Sequence, residues 1–228
     1  MHTRTEQGAI AWGVSLITVP YIAVPAYWVL GRSRFEGYVN TRRDNMREIV
    51  GLTTEAVAAV APFRIPDAEV APAVQAAQRL AGIPFLRGNA VELLVNGDAV
   101  FKSILQGIDA AREYVLVEYY IVHDDAIGRE LRAHLIDRAK AGVRVRFLYD
   151  ELGSHDLPRA YVDELRAAGI EVHEFHTRKG PRNRFQLNFR NHRKIVVVDG
   201  KLAFVGGLNV GDEYLSRNPK IGLWRDTH

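Results

Sequence analysis

The sequence contains no cysteine among its 228 residues. That absence excludes a disulfide scaffold, a cysteine-ligated zinc site, an iron–sulfur cluster and a cysteine nucleophile. Glycine (19) and proline (9) are too few for a fibrous or low-complexity chain, and 47% hydrophobic residues are too many for a disordered one. No P-loop or dinucleotide-binding fingerprint occurs either. The length suits one sizeable core with a short accessory region.

Charge is unevenly distributed along the chain. The net charge of +3 divides into +2 for residues 1–64, −6 for 65–174 and +7 for 175–228. A basic C-terminal quarter on an acidic body suggests an anionic partner, for which phosphates, nucleic acid and anionic lipid headgroups all qualify. A solvated basic loop would give the same charge distribution.

Charge is missing altogether from residues 8–31. A helix of this length spans roughly 36 Å, enough to cross a hydrocarbon core of about 30 Å. We therefore predict an N-terminal membrane anchor over residues 1–34, with a transmembrane helix at about 8–31. A cleaved signal peptide is less favoured, because Arg4 is the only basic residue before the run and the run is long. The arginines that follow it place the rest of the chain in the cytoplasm: Arg32, Arg34, Arg42, Arg43 and Arg47.

The remaining sequence divides into a linker and an α/β domain. Residues 35–88 are predicted to be a juxtamembrane region and linker, broken up by prolines apart from a short helix at 69–81. From residue 89 onward, strand and helix patterns alternate, which predicts a mostly parallel sheet flanked by helices. The predicted strands are 91–95, 114–122, 143–149, 170–175, 195–198 and 202–205, and the predicted helices are 99–111, 127–141 and 160–168.

The basic quarter contains the pattern H-x-K-x4-D, formed by His192, Lys194 and Asp199. Asp199-Gly200 predicts a hairpin turn between strands 195–198 and 202–205. Strand alternation places His192 and Lys194 on one face, where an imidazole beside an ammonium suits nucleophilic attack on a phosphate. Asp199 has the opposite parity and lies at the turn, so we expect it to orient or pair rather than to react.

A second group, Gly206, Gly207 and Asn209, follows the hairpin as G-G-x-N. The two glycines let backbone approach a ligand closely, and the Asn209 amide can donate to a phosphate oxygen. The pattern therefore predicts a phosphate-binding site, with no metal ligands and no cofactor.

These motifs resemble those of the phospholipase D superfamily, whose hallmark is this HKD motif followed by G-[SG]-x-N. Residues 89–228 resemble its first catalytic lobe, and further stretches resemble bacterial cardiolipin synthases, which also carry a hydrophobic N-terminal segment. Those stretches are VEYYIVHDDAIG (117–128), GVRVRFLYDELGS (142–154), AAGIEVHEF (167–175), NFRNHRKIVVVDG (188–200), VGGLNVGDEY (205–214) and IGLWRDTH (221–228).

The resemblance implies phosphatidyl transfer between two phosphatidylglycerol molecules, giving cardiolipin and glycerol through a phosphohistidine and without a metal. His192 would be the nucleophile or its acid partner, Lys194 and Asn209 would bind the phosphate, and Asp199 would complete the motif. Glu118 matches an acidic position that could fix the imidazole, although pairing with a nearby arginine would equally explain it. The implied location is the bacterial inner membrane, with phosphatidylglycerol and other anionic lipids as partners.

The family's site uses two HKD motifs, and this sequence contains one. We expect the sequence to be the N-terminal half of a two-lobe protein, because IGLWRDTH breaks off inside a recognisable element. Two alternatives are a homodimeric phospholipase D-like or nuclease-type phosphodiesterase, and an inactive lobe. The membrane segment argues against nucleic acid as the partner. The acceptor, whether lipid glycerol, water or another alcohol, is left open.

Overall fold

The computed structural model describes residues 6–30, 58, 60–66, 69–81, 84–175 and 190–228. The chain forms two compact units, divided between Glu92 and Leu93.

The first unit begins with two helices where the sequence predicts one. Helix α1 covers Glu6–Thr18 and α2 covers Pro20–Leu30. The break falls at Val19, because Pro20 has no N–H to donate and disfavours helical backbone in the preceding residue. Trp12 and Tyr27 meet edge-to-face at 5.2 Å between ring centroids, whereas a straight helix would separate them by about 22 Å.

The single transmembrane helix predicted at about 8–31 is therefore not confirmed. Within the described parts of the chain, every helix is too short or too polar to cross a membrane. The five arginines from Arg32 to Arg47 and about half of the predicted linker, including residues 35–57, lie outside the described residues.

Among the described residues between 58 and 92, two short elements and one bridge occur. A 3₁₀ turn covers Ala61–Phe63, and α3 covers Pro72–Ala81. The helix predicted at 69–81 is thus confirmed from Pro72, a residue well suited to the first helical position. Arg64 and Leu86 form an isolated antiparallel bridge.

The second unit alternates helices and strands, as the sequence predicts. Its elements in chain order are α4 (Asn96–Asp109), β1 (Tyr114–Tyr119), α5 (Ala126–Lys140), β2 (Arg144–Asp150), α6 (Arg159–Ala167), β3 (Glu171–Phe175), β4 (Ile195–Val198), β5 (Leu202–Val205) and a 3₁₀ helix (Asp212–Leu215). Helices α4 and α5 each bury one apolar face, which includes Val100 and Ile104 on α4 and Leu131 and Leu135 on α5.

The strands in the described part of the chain form one sheet in the order β3-β2-β1-β4-β5. Strands β1, β2 and β3 are parallel, whereas β4 is antiparallel to both β1 and β5. The prediction of a mostly parallel sheet is thus confirmed in part: the sheet is mixed, because β4 runs opposite to the other four strands. Helical crossovers place β1, β2 and β3 parallel, while a tight connection of three residues, 199–201, makes β4 and β5 antiparallel.

Several strand ends meet at one edge of the sheet. The carboxyl ends of β1 and β2, the start of β4 and the end of β5 all lie at this edge, as the strand directions require. The strand predicted at 91–95 is wrong: residues 91–94 form no strand, and Val95 makes only an isolated bridge with Thr227. This bridge also brings the segment 226–228 into the unit.

Candidate active site

The β4–β5 hairpin predicted from the sequence is confirmed, with His192 and Lys194 just before it and Asp199 at its turn. Asp199 (φ 51°) and Gly200 (φ 64°) form its turn, and the strands match the predicted bounds. Lys194 directly precedes β4, and its Nζ donates to the carbonyl oxygen of His192 at 2.7 Å. The structure thus brings Lys194 and His192 together at the edge where these strand ends meet.

Asp199 lies at the opposite edge of the sheet. It is four residues beyond Ile195, or about 13 Å along an extended strand. Its carboxylate accepts from the backbone N–H groups of Arg112, Glu113 and Tyr114 at 2.8–2.9 Å. These three hydrogen bonds hold the pKa of Asp199 below its usual value. In this geometry Asp199 secures the hairpin against the start of β1, which agrees with an orienting role.

Gly206 and Gly207 make room for the chain itself. A Cβ at Gly206 would overlap His228, and a Cβ at Gly207 would overlap the carboxylate of Asp226. The Gly207 N–H donates to the Thr227 carbonyl at 3.1 Å. The close backbone approach that the sequence predicts for a phosphate is made here by residues 226–228.

Asn209 is 6% exposed and joins two neighbouring segments. Its Oδ1 accepts from the Ile121 N–H at 3.1 Å, and its Nδ2 donates to the Tyr214 hydroxyl at 3.0 Å. The amide nitrogen carries a second hydrogen, to which the described contacts assign no acceptor. Asn209 therefore supports the chain after β1, with one donor left for a ligand.

Glu118 contacts the neighbours of His192 rather than its ring. Its Oε1 accepts from the Asn191 side chain at 2.5 Å and lies 3.9 Å from the Arg193 guanidinium. The Asn191 N–H donates to the carboxylate of Asp150. Asp150 is 1% exposed, and its carboxylate also accepts from N–H groups of the loop after β2. Carboxylates from β1 and β2 thus hold the residue directly before His192.

Tyr120 contacts three basic residues of the motif segment. Its ring stacks on the His192 imidazole with centroids 3.9 Å apart and planes inclined by 17°. The Lys194 ammonium lies 5.5 Å from the centre of the same ring, and Arg190 donates to the Tyr120 hydroxyl at 3.2 Å. Tyr120 was not among the predicted site residues, because the sequence pattern gives it no feature that Tyr119 lacks.

Asp226 and His228 were also not among the predicted site residues, although both belong to the stretch IGLWRDTH that resembles the family. Burial lowers the pKa of Lys194, and the negative charge of Asp226 opposes that shift. Burial also lowers the pKa of His228; Asp226 opposes this shift and the charge of Lys194 adds to it. Both ring nitrogens of His228 are shielded and have no hydrogen-bond partner among the described residues. The carboxylate of Asp226 and the imidazole of His228 therefore lie near Lys194.

The motif and the sheet around it match one protein family. The family model described as "Cardiolipin synthase, PLD-like domain" matches residues 104–226, more than half of the chain.

The chain belongs to this family.

Curated relatives of this PLD-like domain agree with the assignment. Cardiolipin synthase A of Pseudomonas fluorescens is 47% identical over 242 residues, covering 100% of this chain and 48% of the relative. Cardiolipin synthase A of Pseudomonas aeruginosa is 48% identical over 236 residues, covering 100% of this chain and 47% of the relative. The chain thus spans about half the length of the curated relatives that it matches.

Among solved structures, NucT from Helicobacter pylori is similar to this chain with a TM-score of 0.47 and 20% sequence identity. The similarity covers 60% of this chain and 81% of NucT.

A second polar group of the PLD-like domain lies beside the active-site edge. A groove there is lined by His123, Asp124, Asp125, Asp156 and Glu213, among others. Its groups are paired within the protein: His123 with Glu213 at 3.2 Å, and Asp124 with Arg129 at 3.0 Å. Within the described ranges, no three metal-ligating side chains are grouped to hold an ion.

Proposed function

We propose that this domain carries half of an active site for phosphatidyl transfer between two phosphatidylglycerol molecules. A nitrogen of His192 attacks the phosphorus of the first lipid, the P–O bond to its headgroup glycerol breaks, and the glycerol leaves with a proton from a second histidine. A headgroup hydroxyl of the second lipid then attacks the phosphohistidine. Its proton returns to that histidine, the P–N bond breaks, and cardiolipin is released.

The observation that carries this proposal is the shared position of His192 and Lys194 beside Tyr120. The imidazole is exposed at the sheet edge, so a phosphorus can reach it. The ammonium of Lys194 is held at the His192 carbonyl, 2.7 Å away, where it can neutralise charge that develops on the phosphate oxygens. Membership of the cardiolipin synthase family supports a phospholipid as the substrate.

The second histidine must come from outside the described motif, because the sequence contains a single H-x-K-x4-D. We propose a second lobe as its source, in line with curated relatives twice as long as this chain. A second copy of this chain would be the alternative source. In the completed site we assign His192 as the nucleophile. In the opposite assignment the second histidine attacks the phosphorus, and His192 donates the proton to the departing glycerol.

We further propose that the first unit holds the domain at the cytoplasmic face of the bacterial inner membrane. Helices α1 and α2 expose large apolar side chains: Ile10, Ile17, Tyr21, Ile22 and Trp28 are each at least 67% exposed. Exposed apolar surface of this kind is typical of a segment that contacts lipid. The arginines at 32–47 add attraction to anionic headgroups.

Lipid analysis of a bacterial host that lacks cardiolipin tests the proposed reaction. The gene is expressed as it occurs, including any codons after that of His228, and we expect cardiolipin to appear. His192→Ala should abolish it, while His173→Ala serves as the matched control, because His173 is 68% exposed on β3 at the far side of the sheet. Cardiolipin formation that persists in His192→Ala would refute the proposed role of His192.

The same variants distinguish the other reactions open to a phosphohistidine. Purified protein is given phosphatidylglycerol vesicles and, separately, single-stranded DNA. Phosphatidic acid as the sole product would identify water as the acceptor, and DNA cleavage that depends on His192 would identify a nuclease. Light scattering in detergent tests the second-copy alternative, which a purely monomeric active protein would exclude.

A further inference from the structure

Tyr120 is held in place from several directions. Its ring is buried, with 9% of the residue exposed. Its carbonyl oxygen accepts from the Ser154 hydroxyl at 3.2 Å, and its hydroxyl accepts from Arg190 at 3.2 Å. Gly153 lies so close that a Cβ there would overlap both the carbonyl and the ring edge of Tyr120. The ring is therefore a rigid surface at the end of β1.

The motif side chains lie on this surface. The His192 imidazole is nearly parallel to the ring, at 3.9 Å and 17°, and the Lys194 ammonium is 5.5 Å from the ring centre. His192 itself is exposed, and its described contacts through the ring are with Tyr120. Without the stack, rotation about its two side-chain torsions would sweep the ring nitrogens through a wide range of directions.

We propose that Tyr120 is a positioning residue that fixes the orientation of the His192 imidazole for attack on phosphorus. This inference rests on the proposed function. The lone pair of an imidazole nitrogen lies in the plane of its ring, so a stacked imidazole directs that pair parallel to the tyrosine surface. The Lys194 ammonium lies 5.5 Å from the centre of the same ring, within the range of a cation–π interaction. Nucleophile and phosphate-binding cation are thus placed relative to each other by one aromatic ring.

Substitutions of Tyr120 separate the ring from its hydroxyl. Tyr120→Phe keeps the aromatic face and loses the Arg190 hydrogen bond, whereas Tyr120→Leu and the more adaptable Tyr120→Met remove the face. Tyr119→Phe is the matched control, because the Tyr119 hydroxyl is buried without a hydrogen-bond partner among the described residues. Thermal unfolding followed by circular dichroism identifies the aliphatic variant that folds, and this variant is used below.

NMR of histidine-labelled protein detects the stack without requiring activity. A stacked tyrosine shifts the imidazole protons upfield through its ring current, and His192→Ala assigns the resonance. We expect the upfield shift in the wild type and in Tyr120→Phe, and its loss in the aliphatic variant. Identical His192 resonances in wild type and aliphatic variant would overturn the proposal, whatever the activity.

Kinetics on phosphatidylglycerol vesicles supply the second readout. Since misplacement by about 1 Å can lower a rate by about 10²-fold, we expect kcat to fall by about that factor in the aliphatic variant with KM little changed, and Tyr120→Phe to retain most activity. An unchanged kcat in the aliphatic variant would overturn the positioning role. A wild type that shows the stack but makes no cardiolipin would instead refute the proposed function, while supporting the placement of His192 by Tyr120.

Discussion

Asn209 offers a quantitative test of how the site is supported. Asn209→Ala leaves the Ile121 N–H without its acceptor and removes the bond to the Tyr214 hydroxyl. An unsatisfied donor costs about 1–3 kcal/mol, and loss of an ordinary hydrogen bond costs about 0.5–1.5 kcal/mol. Because Asn209 is only 6% exposed, water replaces these partners poorly, and we expect a loss of about 2–4 kcal/mol in unfolding free energy.

Calorimetry or circular dichroism measures this loss as a change in melting temperature. For a unit the size of residues 93–228, 2–4 kcal/mol corresponds to a decrease of about 10 °C. Tyr214→Phe removes only the second bond and should cost about 1 kcal/mol. Combining the two substitutions should cost less than their sum, since they share one interaction.

The result that would refute this reasoning is an Asn209→Ala protein that melts at the wild-type temperature. If such a protein also bound phosphatidylglycerol vesicles more weakly, phosphate binding would be the principal role of Asn209. A decrease in melting temperature together with weaker binding would indicate that the free hydrogen of the amide also reaches the ligand.

Three further substitutions have expected outcomes. Gly207→Ala should lower the melting temperature, because its Cβ overlaps Asp226; an unchanged melting temperature would contradict that packing. Burial lowers the pKa of Lys194, so its charge costs stability at neutral pH, and this cost fades as the pH rises through the lowered pKa toward 10.5. Lys194→Met removes this titrating charge together with the 2.7 Å hydrogen bond to the His192 carbonyl, so it should abolish transfer, and its stability relative to wild type should fall as the pH rises toward 10.5; a relative stability that grows with pH would contradict this. The pKa of Asp199 is lowered below 3.8, so its contribution is complete above pH 3.8 and is lost as the pH falls through the lowered value. Asp199→Ala should unfold more readily than wild type at pH 7, and acid titration should shrink the difference to the part that comes from placing alanine at the positive φ of this turn position; a difference that is the same at pH 7 and at low pH would contradict the hydrogen-bonded carboxylate.

The hairpin could be predicted from the sequence because its signals are local. A β-branched run, Asp199-Gly200 and a second apolar run specify two strands and a tight turn. The pairing of β4 with β1 is not local, since it joins residues about 80 positions apart. Alternating strands and helices predicted a mostly parallel sheet with one hairpin, and only the three-dimensional contacts show that the hairpin pairs with β1.

Some residues of the candidate site are within reach of sequence reasoning. The residue types at His192 and Lys194 carry their own chemistry, so the sequence could name them as candidates, and the structure places them side by side. The sequence also indicates that Gly207 permits a close approach, but not which atoms approach it, and here they belong to Asp226. Tyr120 could not be distinguished from Tyr119 by the sequence pattern, because both are buried tyrosines. The contact of Tyr120 with His192 depends on the backbone path after the end of β1, which the pattern does not specify.

The three hydrogen bonds of Asp199 have a consequence for the spacing within the motif. By binding the N–H groups of residues 112–114, Asp199 sets the register of β4 against β1. Successive strand residues alternate between the two faces, so a slip of one residue would turn His192 and Lys194 away from Tyr120. The four residues between Lys194 and Asp199 therefore fix the face on which His192 and Lys194 lie. Inserting or deleting one of them would abolish transfer even if every side chain of the motif were kept.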